Sequence, residues 1–270
     1  MLYRWKVRLL KQPRLNLLWR HWSARRGQVV GNYNELPRYI RQHASGRSFA
    51  DIGCMWGVNG DYAFLAEEAG ASRVVAVDVF GPTPEYDEKH RTRQSAVEFV
   101  LGDISRAETI ARIGEVDVVF CAGVLYHHPS PFDLLVALRR ICRETLILRT
   151  STIPEVRGLP NAAVYFPMLT ARGREPWNLK SLGVMHQAGI TNEFQPREGY
   201  GNWFWGLTPS CLESLLRTAG FEVEHRATEA VAQTVVCRTV AEAFDHRLPG
   251  EVEARALGEE ISAAAVARPA

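Results

Sequence analysis

The sequence lacks several features that would assign it quickly to a class of protein. Its five cysteines form no C-x-x-C pair, and their odd number argues against a disulfide framework or a zinc ribbon. The sequence has no run of 18 apolar residues that would predict a membrane span, and its N-terminus lacks the apolar stretch of a signal peptide. With 32 Lys and Arg against 30 Asp and Glu, the charge balance does not indicate a polyanion binder. We therefore expect a folded cytoplasmic protein.

Alternation of β-rich and helical runs is the main pattern within the 270 residues. We predict strands at 48–52, 73–78, 97–101, 115–121, 144–150, 221–226 and 232–238, with helices at 60–69, 86–94, 105–112, 131–143 and 208–219. Such alternation is typical of a parallel sheet covered on both faces. The pattern predicts an α/β, Rossmann-like fold with a mostly parallel seven-stranded sheet.

Composition divides the chain into regions. We predict a basic helical extension at 1–46, a main domain at 47–250 and a flexible C-terminal tail at 251–270. Residues 1–26 carry eight basic side chains and no acidic one, which suits either a solvated helical face or contact with a membrane surface or an anionic substrate. The insertion at 151–205 is rich in proline and aromatics, and such insertions often cap a site as a lid.

The residues after successive strands suggest a nucleoside site, because ligands of doubly wound sheets bind at the carboxyl ends of the strands. Glycines after the first strand let a ligand approach the backbone, and aspartates after the second and third can accept hydrogen bonds from ribose and adenine. The candidate cofactor-binding residues are Asp51, Gly53, Cys54, Gly57, Asp78, Val79, Asp103, Ile104, Ala122 and Gly123.

The first loop argues against a dinucleotide. It lacks the G-x-G-x-x-G pattern that cradles a pyrophosphate, and Asp51 would place a negative charge near a phosphate. A ligand that carries an ammonium and a sulfonium group would favour that carboxylate, so we expect S-adenosyl-L-methionine. Taken singly, each aspartate is explained as a turn or capping residue and each glycine as a tight turn. Their joint spacing favours the cofactor site.

Residues 48–150 resemble the class I S-adenosylmethionine-dependent methyltransferases. The Asp/Glu-x-Gly-x-Gly-x-Gly loop of that family matches at Asp51, Gly53 and Gly57 and departs at Met55, where a glycine is usual. The resemblance implies that Asp51 lies near the methionine ammonium. It likewise implies that Asp78 binds the ribose and that Asp103 and Ile104 hold the adenine.

The loop after the fourth strand contains the candidate catalytic residues Tyr126, His127 and His128. Methyl transfer requires an aligned acceptor and removal of a proton, and a histidine can remove that proton at neutral pH. By resemblance, His127 is either the general base or a residue that fixes the loop. His128 is the weaker candidate for the base, and Tyr126 is a candidate hydroxyl donor to the acceptor.

Three functions remain open from the sequence. The first is O-methylation of a small molecule, such as a sugar, glycan or secondary metabolite. The second is alkyl transfer to a tRNA wobble base, because residues 33–225 are unevenly similar to the branch containing the tRNA wobble-uridine carboxymethyltransferases, which use carboxy-S-adenosylmethionine. The third is a catalytically silent nucleoside-binding module.

The small molecule is the favoured partner, and nucleic acid is less favoured. A membrane surface at residues 1–26 and a homodimer through the N-terminal tryptophans stay open. The spacing of the histidines and carboxylates favours no metal.

Overall fold

A central sheet of seven strands organises the protein. The computed structural model describes residues 35–174, 193–229 and 232–244, with His246 and Leu248. The strands are β1 (Ser48–Ile52), β2 (Arg73–Asp78), β3 (Glu98–Leu101), β4 (Val116–Ala122), β5 (Cys142–Ser151), β6 (Ala163–Tyr165), β7 (Trp205–Leu207), β8 (Phe221–Thr228) and β9 (Ala232–Thr239). The α-helices are α1 (Leu36–Ala44), α2 (Asp61–Glu68), α3 (Pro84–Arg93), α4 (Ala107–Ile113), α5 (Pro131–Ile141), α6 (Ala171–Arg174) and α7 (Pro209–Thr218). The predicted basic segment 1–26 and the tail 251–270 lie outside the described residues.

The sheet has the strand order β3-β2-β1-β4-β5-β9-β8. Strands β1 to β5 pair in parallel, whereas β9 runs antiparallel to both of its neighbours. This arrangement confirms the predicted mostly parallel, seven-stranded Rossmann-like sheet. The order reverses on either side of β1, so the crevice for a ligand is expected where the carboxyl ends of β1 and β4 diverge.

Apolar side chains cover both faces of the sheet. One core cluster joins α4, α5 and α7 to the sheet, with residues such as Leu135, Leu138 and Leu212 fully buried. The other joins α1, α2 and α3, and includes Ile40 and Phe64. Helix α1, at the end of the predicted extension 1–46, packs into this second cluster. In the described part of the chain, no helix is long and apolar enough to cross a bilayer.

Threonine caps set the starts of two helices. The Thr83 hydroxyl accepts a hydrogen bond from the Tyr86 N–H at 3.1 Å, and the Thr208 hydroxyl accepts one from the Cys211 N–H at 3.3 Å. A proline follows each capping threonine, and its fixed φ suits the first helical position. These caps begin α3 and α7.

The described part of the insertion lies over the carboxyl edge of the sheet. Strands β6 and β7 form a separate antiparallel pair, and a 3-10 helix occupies Pro196–Gly201. The Phe204 N–H donates to the Tyr126 carbonyl at 2.9 Å, and the Trp205 indole N–H donates to the Pro129 carbonyl at 2.8 Å. These bonds fasten the insertion to the loop after β4.

Candidate active site

A cavity of about 770 Å³ lies at the carboxyl edge of the sheet. Its volume falls within the roughly 300–1,000 Å³ typical of small-molecule sites. The predicted site residues that line it are Asp51, Gly53, Gly57, Asp78, Val79, Asp103, Ile104, Ala122, Gly123, Tyr126, His127 and His128. The insertion adds Glu198, Tyr200, Gly201 and Trp203 to the wall. One cavity therefore joins the candidate cofactor residues to the candidate catalytic residues.

The glycine loop after β1 requires residues without a side chain. Gly53 and Gly57 have φ values of +83° and +77°, in the left-handed region that favours glycine. A Cβ on Gly53 would lie 2.3 Å from Cγ2 of Val124 in the loop after β4. Gly53 therefore lets the loops after β1 and β4 approach each other at the cavity.

The motif departs from the family pattern without obstructing the cavity. Met55 is buried in the second core cluster, and its N–H donates to an Asp78 carboxylate oxygen at 2.8 Å. Cys54, predicted to bind cofactor, is also buried in that cluster and is not among the described residues that line the cavity. Its carbonyl accepts a hydrogen bond from the Gly60 N–H at 2.7 Å. Cys54 and Met55 contribute to the loop through their backbones.

Asp51 carries an unsatisfied buried oxygen. The residue is 1% exposed, and its Oδ2 has no hydrogen-bond partner among the described residues. Burial, with the nearby Asp78 charge, raises the pKa of Asp51 to about 8. A cation beside this carboxylate would satisfy the oxygen and lower the pKa again. This buried acceptor therefore fits the ammonium group of S-adenosylmethionine, which would donate the missing hydrogen bond.

Asp78 is held by the backbone. Its two carboxylate oxygens accept hydrogen bonds from the Met55 N–H at 2.8 Å and the Phe80 N–H at 2.9 Å. Burial raises the pKa of Asp78 despite these bonds. Each carboxylate oxygen has capacity for a second hydrogen bond. The oriented carboxylate can thus accept from a ribose hydroxyl.

Asp103 is coupled to the insertion. Its carboxylate accepts hydrogen bonds from the Tyr200 hydroxyl and from the N–H and hydroxyl of Ser105. Burial tends to raise the pKa of Asp103, but these hydrogen bonds outweigh it, and the pKa lies below its usual value. Asp103 is therefore an ionised acceptor at neutral pH, suited to an adenine amino group.

The loop after β4 turns at Gly123, where φ is +80°. The Gly123 N–H donates to the Arg149 carbonyl at 3.0 Å, which ties this turn to β5. A Cβ on Gly123 would lie 3.6 Å from the Tyr126 hydroxyl oxygen. Tyr126 therefore extends back over the turn, where its hydroxyl faces the space that the absent side chain leaves open.

The His127 ring is oriented for proton acceptance. Its Nδ1 lies 2.8 Å from the Asn202 carbonyl oxygen. Because a carbonyl can only accept, Nδ1 carries the hydrogen and Nε2 keeps its lone pair. Burial lowers the pKa of His127, so the ring is neutral at pH 7. The rings of Trp56, Tyr126 and Trp203 lie 4.3–5.7 Å from the imidazole, centroid to centroid.

His128 has a different environment. Its Nδ1 lies 2.6 Å from the Ser130 carbonyl oxygen, and its ring stacks on Tyr200 with the centroids 5.6 Å apart. Within the described residues, its buried Nε2 has no hydrogen-bond partner. Burial lowers the pKa of His128 as well. These contacts suit a residue that supports the loop and the insertion.

Sequence reasoning missed several residues of the cavity wall. The Tyr200 hydroxyl donates a hydrogen bond to the carboxylate of Asp103, which lies 97 positions earlier in the chain. No local sequence pattern predicts such a pairing. Arg149 lines the cavity at the end of β5, where a charged residue follows the apolar run Leu146–Leu148. That interruption of a buried strand was the available signal. Among the described residues, no group of three or more His, Cys, Asp or Glu side chains could hold a metal.

Comparison with known proteins agrees with this geometry. A sequence family described as a methyltransferase domain matches residues 50–147, from β1 into β5. The N-terminal domain of EvdMO1, solved with SAH bound, is similar in fold with a TM-score of 0.52. That match covers 79% of this chain and 83% of that chain at 18% identity. Residues 50–147 therefore match a methyltransferase domain, and the fold around them is similar to that of the N-terminal domain of EvdMO1.

Two curated relatives are similar over part of the chain. A tRNA U34 carboxymethyltransferase of Shewanella denitrificans is 32% identical over 158 residues, which are 49% of this chain and 44% of that protein. A protein of the same name from Sulfurimonas denitrificans is 31% identical over 110 residues, 39% of this chain and 34% of that protein. The chain spans less than half the length of these relatives.

Proposed function

We propose that the protein is an S-adenosylmethionine-dependent methyltransferase that methylates a hydroxyl of a small molecule, such as a sugar, glycan or secondary metabolite. One observation carries the proposal. A single cavity combines three carboxylates suited to a sulfonium nucleoside with a histidine whose Nε2 lone pair is available at neutral pH.

The carboxylates would hold the cofactor in sequence along the edge of the sheet. Asp51 would contact the methionine ammonium, Asp78 the ribose hydroxyls and Asp103 the adenine amino group. The exposed Val79 beside Asp78 and the buried Ile104 beside Asp103 provide apolar surface for the adenine. Negative side chains at these positions complement a positively charged ligand.

His127 would remove the acceptor's proton. When bound, the cofactor supplies a methyl carbon bonded to a positive sulfur, which keeps the electron pair of the bond that breaks. Nε2 of His127 accepts the proton that the hydroxyl loses as its oxygen bonds to the methyl carbon. The hydrogen bond from Nδ1 to Asn202 holds the ring in the required tautomer and supports the positive charge it gains.

Aromatic rings favour a small, flat or sugar-like acceptor. Tyr126 and Trp203 lie with their ring centroids 4.2 Å apart, and Trp56, whose ring centroid is 5.4 Å from that of His127, also lines the cavity. Such side chains bury apolar ring faces and present polar edges for orientation. The fastening of the insertion to the loop after β4 encloses this part of the cavity.

The test is methyl transfer from labelled S-adenosylmethionine to a panel of hydroxylated small molecules, with tRNA as one member. We expect label in a small molecule, and loss of that label with His127→Gln. The matched control is His90→Gln on α3, whose ring bonds the Val97 carbonyl away from the cavity. Label found only in tRNA would refute the small-molecule assignment, and no turnover on any acceptor would favour a silent module.

Alkyl transfer to tRNA is the second candidate, favoured by the two relatives and the eight basic residues in positions 1–26. If it is correct, replacement of Arg4, Lys6, Arg8 and Lys11 by Gln should weaken tRNA binding. The slope of log affinity against log salt should also fall by roughly 0.7–0.9 for each phosphate contact removed. Gln substitutions of four exposed arginines elsewhere, Arg91, Arg93, Arg143 and Arg238, provide the charge-matched control. Unchanged tRNA affinity in the N-terminal variant would count against this candidate.

A further inference from the structure

A buried arginine lies beside the loop that follows β4. Arg149 is 4% exposed and pairs in register with Ala122 of β4, the residue before the Gly123 turn. It lies on the same side of the sheet as Phe120 and Ile147, which belong to the core cluster beneath Asp51. Arg149 also lines the cavity that contains Asp51 and Gly53. Its guanidinium is therefore close to where the methionyl part of the cofactor is expected.

This guanidinium is already neutralised. Nη1 and Nη2 contact the two carboxylate oxygens of Glu229, and the Nη2 to Oε2 distance is 3.1 Å. Nη1 also donates to the Thr234 hydroxyl at 3.2 Å. The side chains of Arg149 and Glu229 are only 5% and 11% exposed, so water screens the pair weakly. Such a bidentate, charge-assisted pair of hydrogen bonds is strong and requires a specific geometry.

The rest of the lining is acidic or neutral. Among the described residues of the cavity wall, Arg149 is the only Arg or Lys, whereas Asp51, Asp78, Asp103 and Glu198 carry carboxylates. His127 adds no positive charge at neutral pH, because burial lowers its pKa. His128 behaves in the same way. An anionic group entering this cavity would meet carboxylates and would have to compete with Glu229 for the one arginine.

We propose that Glu229 is a specificity-determining residue: by occupying Arg149, it makes the site select a methyl donor over a carboxymethyl donor. This inference rests on the proposed cofactor site. The two donors differ by one carboxylate on the transferred group, and a buried carboxylate needs a cationic partner. With Glu229 in place the guanidinium has its partner, and the cavity accepts the uncharged methyl group. Without that charge, Arg149 becomes a site for the extra carboxylate.

The test compares binding of S-adenosylmethionine and carboxy-S-adenosylmethionine by calorimetry, without an acceptor. S-adenosylhomocysteine, the product of both donors, is the reference ligand. The variants are Glu229→Gln and a double variant in which Arg149→Met is added. Glu222→Gln is the matched control, because it removes one carboxylate from an exposed ion pair with Arg238 outside the cavity. Thermal melting verifies that each variant is folded.

We expect the wild-type protein to prefer S-adenosylmethionine. Glu229→Gln should shift the affinity ratio toward the carboxylated donor by about tenfold or more, since one charge-assisted hydrogen bond contributes about 1.5–3 kcal/mol. Adding Arg149→Met should abolish that shift, and Glu222→Gln should leave the ratio unchanged. An unchanged ratio in folded Glu229→Gln, or a wild-type preference for the carboxylated donor, would overturn the inference. Failure of S-adenosylhomocysteine to bind the wild type would instead refute the cofactor site itself.

Discussion

Replacement of Asp51 by asparagine should make the protein more stable while impairing the site. The pKa of this buried carboxyl is about 8, against a usual value of 3.8. Between those two values the folded protein holds a proton that the unfolded chain has lost, so the free energy of unfolding decreases as pH rises. The decrease is about 1.4 kcal/mol for each pH unit, which gives about 4 kcal/mol at pH 7 as an upper estimate.

Urea denaturation at pH 5, 7 and 9 measures this effect. The wild-type stability should fall from pH 5 to pH 8 and then level off, and Asp51→Asn should remove most of that fall. Asp117→Asn is the matched control with the opposite sign. Hydrogen bonds from Ser48 hold the pKa of Asp117 below its usual value, so its loss should destabilise the protein at neutral pH. The reasoning would be refuted if the Asp51→Asn variant were no more stable than the wild-type protein at pH 7.

The same carboxyl should make cofactor binding dependent on protons. At pH 7 the free protein holds Asp51 mostly protonated, and an arriving ammonium favours the ionised form. Binding of S-adenosylhomocysteine at pH 7 should therefore release up to one proton, measured by calorimetry in buffers of different ionisation enthalpy. Asp51→Asn should bind the ligand more weakly and release no proton.

Three further predictions address other parts of the site. Because His127 must be unprotonated and burial lowers its pKa, kcat/KM for the acceptor at saturating cofactor should rise with pH along a limb whose midpoint lies below the usual 6.5 of histidine. His127→Gln should cut kcat by roughly 10²–10⁴-fold and remove that limb. An unaltered profile would exclude His127 as the base. Gly53→Ala should lower the free energy of unfolding in urea by roughly 2–4 kcal/mol, because the new Cβ adds backbone strain and overlaps Val124. Gly57→Ala should lower it by the backbone strain alone, because the space at its Cβ is open. Equal losses in the two variants would contradict this. Tyr200→Phe should weaken S-adenosylhomocysteine binding about fivefold by loss of one hydrogen bond, while Tyr165→Phe, which lies outside the cavity wall, should not.

The sheet was predictable because its signals are local. The predicted strand at 48–52 coincides with β1, and that at 73–78 coincides with β2. Buried parallel strands are continuous apolar runs, and the connections between them contain the helical patterns. The insertion at 151–205 has no such period. Its course depends on contacts such as the bond from Phe204 to Tyr126, which no local pattern encodes.

The candidate site was predictable at strand ends and less so elsewhere. Asp78 ends β2 and Asp103 lies two residues beyond the end of β3, so topology alone brings them to one edge. The Met55 backbone contact and the pairing of Arg149 with Glu229 depend on side-chain directions and on residues 80 positions apart. The burial of Asp51, whose Oδ2 has no hydrogen-bond partner within the described residues, likewise emerges only when the second core cluster assembles around it.

A crystal structure with S-adenosylhomocysteine tests the central claim most directly. We predict ligand density along the carboxyl edge, with the amino group at Asp51, the ribose at Asp78 and the adenine amino group at Asp103. Homocysteine sulfur should then lie on the same side of the cavity as His127. Density at any other place on the protein, or a cavity that stays closed to the ligand at saturating concentration, would contradict the account.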